Sequence, residues 1–275
     1  MLFREFLRLR FPIHEIIPGH YRHILRLQET GEKVGVLVRH GYEKKWGASI
    51  PFYNGDESYP SDKARSLNRI PQDFHELYVV NSKTDDPRVT ALPKGISPYR
   101  PAWFLALALP RRRKRLLAYC NFSIGHPSQP AYIERRRKVR DVVQGKEWMT
   151  RENLGNTFGT YDMNSVQYYW RVAEHQFTVS PEGNGVDCHR TWEALYLRSI
   201  PIVQHSKEMS HFSDLPILFT QDYTELTAEY LREQYERIMN TEYNIEKLFA
   251  SYWLKRVTQS LTRVADGLLD LNSIE

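Results

Sequence analysis

Residues whose types and spacing suit chemistry concentrate between Phe177 and Leu195, in the run FTVSPEGNGVDCHRTWEAL, with the apolar Ile200-Pro-Ile-Val203 just behind it. The order is apolar segment, polar turn, helix and a second apolar segment. A strand–turn–helix junction of this kind can hold an anion on backbone N–H groups at the helix N-terminus. Gly183 and Gly185 let the turn close tightly and bring N–H groups up to an oxyanion, with Ser180 and Asn184 as polar neighbours. Asp187 has the residue type of an N-cap, and His189 opens the helix. Arg190, in the first turn, can fork onto phosphate oxygens. Glu193 follows three residues later on the same face, where a carboxylate can accept from both hydroxyls of a ribose. The chemistry suits a phosphorylated ligand, and specifically a nucleotide. The same residues also fit a plain glycine turn followed by an i,i+3 ion pair. The dinucleotide fingerprint is not met, because its third glycine is missing.

For these residues to meet, a sheet must carry them. In the second half, apolar strands are expected at 116–122, 177–180, 200–204 and 217–220. Helices are expected at 133–143, 163–175, 188–198 and 223–239, with a long helical tract at 245–269. This alternation predicts a parallel sheet with helices on both faces and a ligand outside the carboxyl ends of the strands. Three such ends are polar and should share one crevice: Asn121-Phe-Ser123, Ser180 to Gly185, and Gln204-His-Ser206. In the first half, a helix at 13–29 ends at Gly31, and short strands are expected at 34–38, 50–53, 77–80 and 89–92, an α/β pattern. The break Ser97-Pro-Tyr-Arg-Pro101, a short helix at 103–109 and the charged link Pro110 to Arg115 mark a boundary. The expected units are an acceptor-side lobe at 1–108, a donor lobe at 109–245, and a C-terminal helix at 246–275 that packs back on the first lobe.

Composition narrows the function classes. The 275 residues are 41% hydrophobic and 26% charged, ordinary for a globular chain. With 17 Tyr, 12 Phe and 6 Trp the core should be aromatic. Two cysteines, Cys120 and Cys188, provide neither a disulfide framework nor a zinc site. The histidines show no His-x-x-x-His spacing, so no metal site is expected. No apolar run approaches the roughly 18 residues of a membrane span, and the N-terminus lacks a signal-peptide core, so a soluble, cytoplasmic protein is expected. A net charge of +5 with a pI near 9.1 can steer anions but is no nucleic-acid footprint by itself. The basic runs 111–115 and 135–138 read as a solvated link and as one helix face partly aimed at the ligand. Tyr168, Tyr169 and Trp170 read as a core-facing helix surface.

The stretch from Phe177 to Val203 resembles the signature of exostosin-like glycosyltransferases, family 47. The matching pieces are Ser180-Pro-Glu-Gly183, Arg190-Thr-Trp-Glu193-Ala-Leu195 and Ser199-Ile-Pro-Ile-Val203. More loosely, Asn81 to Pro93-Lys-Gly95 resembles a family segment, with Asp86-Pro87 where His-Pro is usual. Tyr119-Cys-Asn-Phe-Ser123 followed by Arg136 resembles the strand and basic helix that open the donor lobe. The resemblance spans about residues 50 to 203. It implies the glycosyltransferase B-type fold, with two Rossmann-like lobes facing across a cleft. It also implies inverting transfer from a UDP-sugar to a glycan acceptor, with no cofactor and no required metal. UDP-xylose is the first donor to consider. In this alignment Arg190 holds the diphosphate, Glu193 the ribose, the Gly183–Gly185 turn approaches the phosphates, and Asn121, Ser123 and Arg136 line the same side. The lack of an anchor resembles the short soluble forms of bacteria and large viruses.

Inversion requires one in-line displacement, positive charge for the leaving diphosphate, and a general base, usually a carboxylate, for the acceptor hydroxyl. The base should come from the first lobe. Asp56, in the turn Asn54-Gly-Asp56, is the first candidate, followed by Asp73 and His40. The alternatives are a nucleotide- or glycan-binding protein without a working base, and a basic nucleic-acid-binding protein.

Overall fold

The computed structural model describes residues 1–8, 15–17, 36–39, 76–82, 87, 89–97, 114–125, 130–152, 165–183, 185–256 and 259. Two parallel sheets organise them. The first has strands β1 (Val36–Arg39), β2 (Glu76–Val80) and β3 (Val89–Leu92), paired in the order β1-β2-β3. The second has β4 (Leu116–Asn121), β5 (Met149–Glu152), β6 (His175–Val179), β7 (Ile200–Gln204) and β8 (Leu218–Thr220), in the order β5-β4-β6-β7-β8. Every pairing in both sheets is parallel. Parallel strands covered on both faces need near-continuous apolar runs, and Ile200-Pro-Ile-Val203 is buried throughout. The fold class is therefore α/β with two Rossmann-like units, as expected.

The strand order of the second sheet matters for function. Counted within the sheet it is 2-1-3-4-5, a doubly wound order whose direction reverses between its first and third strands. These are β4 and β6, paired through Tyr119 with Thr178 and Cys120 with Val179. The crevice beyond their carboxyl ends is the topological switch point.

The helices are α1 (Phe3–Phe6), α2 (Pro130–Val143), α3 (Ser165–Glu174), α4 (His189–Tyr196), α5 (Lys207–Ser210) and α6 (Ala228–Met239). Residues 245–248 form a 3₁₀ turn, and 250–256 are helical. The core is aromatic: Trp192, Tyr119, Tyr169, Tyr196, Phe177 and Phe212 are all fully buried. Trp192 meets Phe212 edge-on at 5.0 Å, the geometry that ring quadrupoles favour.

Several elements differ from the sequence expectation, each for a local reason. The helix expected from 223 starts at Ala228, because the Thr227 side chain accepts from the Tyr230 N–H and caps it there. Tyr223 instead takes a left-handed turn conformation, with φ of 68°. The long tract from 245 is interrupted at Phe249, which is extended and bridges to Ile16. That bridge also removes Ile16 from the helix expected at 13–29. Strand β5 was not foreseen. Its sequence, Met-Thr-Arg-Glu, alternates at a sheet edge and carries no apolar run. Trp170 is 40% exposed while Tyr168 and Tyr169 are buried, since three consecutive helical residues cannot share one face. The 110–115 link is not wholly solvated: the Lys114 ammonium donates to Leu197 O at 2.8 Å and to Val172 O at 3.3 Å. Burial there holds its pKa well below the usual lysine value, with Arg198 adding to the effect. The strand expected at 50–53, the helix at 103–109 and the residues Arg111 to Arg113 lie outside the described residues.

The N-terminal residues do not sort cleanly by unit. Phe3 N donates to Thr241 O at 3.3 Å, Leu2 bridges to Glu242, and the α1 aromatics Phe3 and Phe6 are buried. Residues 1–8 thus dock on the second unit. Ile17 returns to the first unit by accepting from Ile96 N, while its own N–H donates to the Tyr196 hydroxyl of α4.

Candidate anion site at the switch point

Two arginines converge between the ends of β4 and β6. Arg136 comes from α2 and is 6% exposed. Its Nε donates to Glu182 O at 2.7 Å, and its Nη1 to Ser123 O at 2.6 Å. Arg190, from the first turn of α4, is half-buried. Its Nε donates to Asn121 O at 3.0 Å and its Nη1 reaches Pro181 O at 3.5 Å. Each guanidinium therefore ties the β4 end to the β6 turn through carbonyl oxygens. Both also lie over the Phe122 ring, 5.7 Å and 5.9 Å from its centroid, within cation–π range. Burial alone would disfavour the Arg190 charge. The neighbouring groups, the Glu193 carboxylate among them, offset burial and hold its pKa above the ordinary arginine value. Its charge is thus permanent. The adjacent Arg135 pairs with the Glu182 carboxylate, while Arg137 and Lys138 stay exposed.

The glycine turn packs against Arg136. A Cβ on Gly183 would stand 3.1 Å from Arg136 Nη2, so glycine permits the close approach. The Gly183 N–H donates to Gly185 O at 2.9 Å, so this donor is turned into the loop. Asn184 lies outside the described residues. Ser180 is fully buried, and its hydroxyl contacts Thr191 Oγ1 at 2.9 Å and Cys188 Sγ at 3.2 Å. Asn121, 8% exposed, donates from Nδ2 to the Tyr119 hydroxyl at 2.7 Å, and that hydroxyl donates to Glu152 at 2.7 Å. Ser123 offers its carbonyl to Arg136 and is half-buried.

The other residues of the motif turn toward the first unit. Asp187 does not cap α4; Cys188 holds the N-cap position, without a side-chain cap bond. The Asp187 carboxylate accepts from Lys94 N at 2.7 Å and from the Trp192 indole N–H at 2.6 Å, and its own N–H donates to Asn81 Oδ1 at 2.7 Å. His189 Nδ1 faces Gly95 O at 2.8 Å, so that nitrogen carries the proton. Glu193, fully buried, accepts from Ser97 N at 3.2 Å and from the Tyr169 hydroxyl at 3.4 Å. Arg190 and Glu193 therefore diverge instead of pairing. Asn81 and the amides of Lys94 and Ser97 were not singled out as functional from the sequence. The sequence signal for them is the loose family resemblance of the run from Asn81 to Pro93-Lys-Gly95; in the structure Asn81 takes a left-handed φ of 59°. Asp56, Asp73 and His40 lie outside the described residues. Among the described residues no three His, Cys, Asp or Glu side chains form a metal-binding group, and no helix is long and apolar enough to cross a membrane.

No protein-family model matches the chain, and no curated protein matches it. A solved structure titled "Crystal Structure of alpha1,3-Fucosyltransferase" aligns with a TM-score of 0.43 and 14% identity, over 78% of this chain and 71% of its own.

Proposed function

We propose that the protein is a glycosyltransferase that moves a sugar from a nucleotide-sugar donor to a hydroxyl of a glycan acceptor. The observation that carries this reading is the pair Arg136 and Arg190, held over Phe122 at the switch point between β4 and β6. Doubly wound sheets bind nucleotides at that place, and two fixed cations suit a diphosphate. The motif around Arg190 supplies the link to sugar transfer. The donor in this reading is a UDP-sugar, UDP-xylose first, and neither a metal nor another cofactor takes part. Arg190 and Arg136 face the diphosphate, flanked by Asn121, Ser123 and the Gly183–Gly185 turn.

The reaction is one in-line displacement. The acceptor oxygen bonds to the anomeric carbon as the bond from that carbon to the diphosphate oxygen breaks. The electron pair leaves with UDP, where the two guanidinium groups stabilise it, and the acceptor proton passes to a general base. Asp56 is the proposed base, with Asp73 and His40 next. Product analysis with UDP-xylose and a panel of UDP-sugars tests this reading: an inverted glycoside should form, and EDTA should not slow it.

A second reading, nucleotide or glycan binding without catalysis, draws on the burial of Asp187 and Glu193 in protein contacts. Neither carboxylate is open to take an acceptor proton. Tight UDP binding with no donor turnover, across acceptors, would favour it.

A further inference from the structure

We propose that Asp187 and Glu193 are positioning residues: they lock helix α4 onto residues 94–97 of the first unit and thereby hold Arg190 at the switch point. Asp187 is 1% exposed and Glu193 is 0% exposed. Burying a carboxylate is costly unless N–H or O–H groups replace its water. Both carboxylates find those donors in the protein. Asp187 uses both oxygens, one on the Lys94 amide and one on the Trp192 indole. Glu193 Oε1 takes the Ser97 amide and the Tyr169 hydroxyl. His189 adds a third tie, to Gly95 O, and Asn81 takes the Asp187 N–H.

These ties flank Arg190 on one short helix. Asp187 and His189 hold the turn before it, and Glu193 holds the turn after it. Through that helix the position of the guanidinium is coupled to the docking of the first unit. The lock stands on these contacts alone. Its effect on ligand affinity rests on the nucleotide-sugar reading.

Hydrogen exchange on the full chain without ligand tests the lock. In the wild type the Lys94 and Ser97 amides should exchange slowly. Asp187→Asn should speed exchange of the Lys94 amide or of the Trp192 indole N–H, because these donors sit on different oxygens and one of the two becomes an NH2 group that cannot accept. Glu193→Ala should speed the Ser97 amide, and Glu193→Gln, which keeps an acceptor, should restore its protection. A second arm measures affinity for UDP and for inorganic pyrophosphate. A positioning role weakens both probes by the same factor in Glu193→Ala, about tenfold, with recovery in Glu193→Gln. Fast exchange of both amides in the wild type would overturn the proposal. So would a loss of UDP affinity in Glu193→Ala with pyrophosphate affinity unchanged, which would make Glu193 a ribose ligand. If neither probe binds the wild type, the donor reading fails and exchange alone decides the lock. If Glu193→Ala does not fold, the wild type and the two conservative variants decide it.

Discussion

Arg136 and Arg190 reach the same Phe122 ring from different helices, α2 and α4, at 5.7 Å and 5.9 Å. Both charges sit at the same end of the β4–β6 crevice, where like charges repel. The carbonyl oxygens of Asn121, Ser123, Pro181 and Glu182 offset part of that repulsion. Both guanidinium groups would gain from an anion there, so this place in the fold should bind one.

Gly183→Ala tests how closely the turn fits Arg136. The added methyl would meet Arg136 Nη2 at 3.1 Å, and that guanidinium is held by two carbonyls and cannot swing freely. The variant should lose about 1 kcal/mol of stability and bind UDP more weakly than the wild type. Denaturant unfolding and calorimetry check both; an unchanged UDP affinity would show that Arg136 does not serve the ligand.

His175 predicts a pH dependence of stability. Its ring is fully buried, with Nε2 on the Thr150 hydroxyl and Nδ1 on Arg171 O. Burial lowers its pKa to about 4. The folded pKa lies below the unfolded one, so the unfolded chain takes up the proton first as pH falls. Stability should therefore drop between about pH 6.5 and pH 4 and be unaffected by this group above that window. Between pH 7 and pH 5 the wild type should lose about 2 kcal/mol more than His175→Gln. Urea unfolding at the two pH values reads the difference, and equal losses would contradict it.

Asp56→Asn should leave UDP binding intact and cut transfer by about a thousandfold. Transfer rates beside UDP affinity separate the two effects. Full transfer activity in this variant would move the base to Asp73 or His40.

The order of elements from β6 to β7 was legible because apolar runs, a glycine turn and a polar helix start follow one another in sequence. The convergence of Asn121, Arg136 and Arg190 was legible too, since strand ends of a parallel sheet must meet on one side. The destinations of Asp187 and Glu193 were not. Their partners, the amides of Lys94 and Ser97, lie about a hundred residues upstream, and backbone N–H groups carry no sequence signature. Strand β5 was missed for a related reason: an edge strand buries one neighbour only, so Met149 to Glu152 needs no apolar run.

In the proposed function Arg190 anchors a nucleotide diphosphate at the switch point. A thermal-shift titration with UDP tests it most directly, on the wild type, on Arg190→Ala, and on Arg232→Ala, an exposed control on α6. At a hundredfold excess over Kd, UDP should stabilise the wild type and the control by about 2.7 kcal/mol, with or without EDTA, and should leave Arg190→Ala unmoved. No shift with UDP or any other nucleotide in the wild type, or an undiminished shift in Arg190→Ala, would contradict the account.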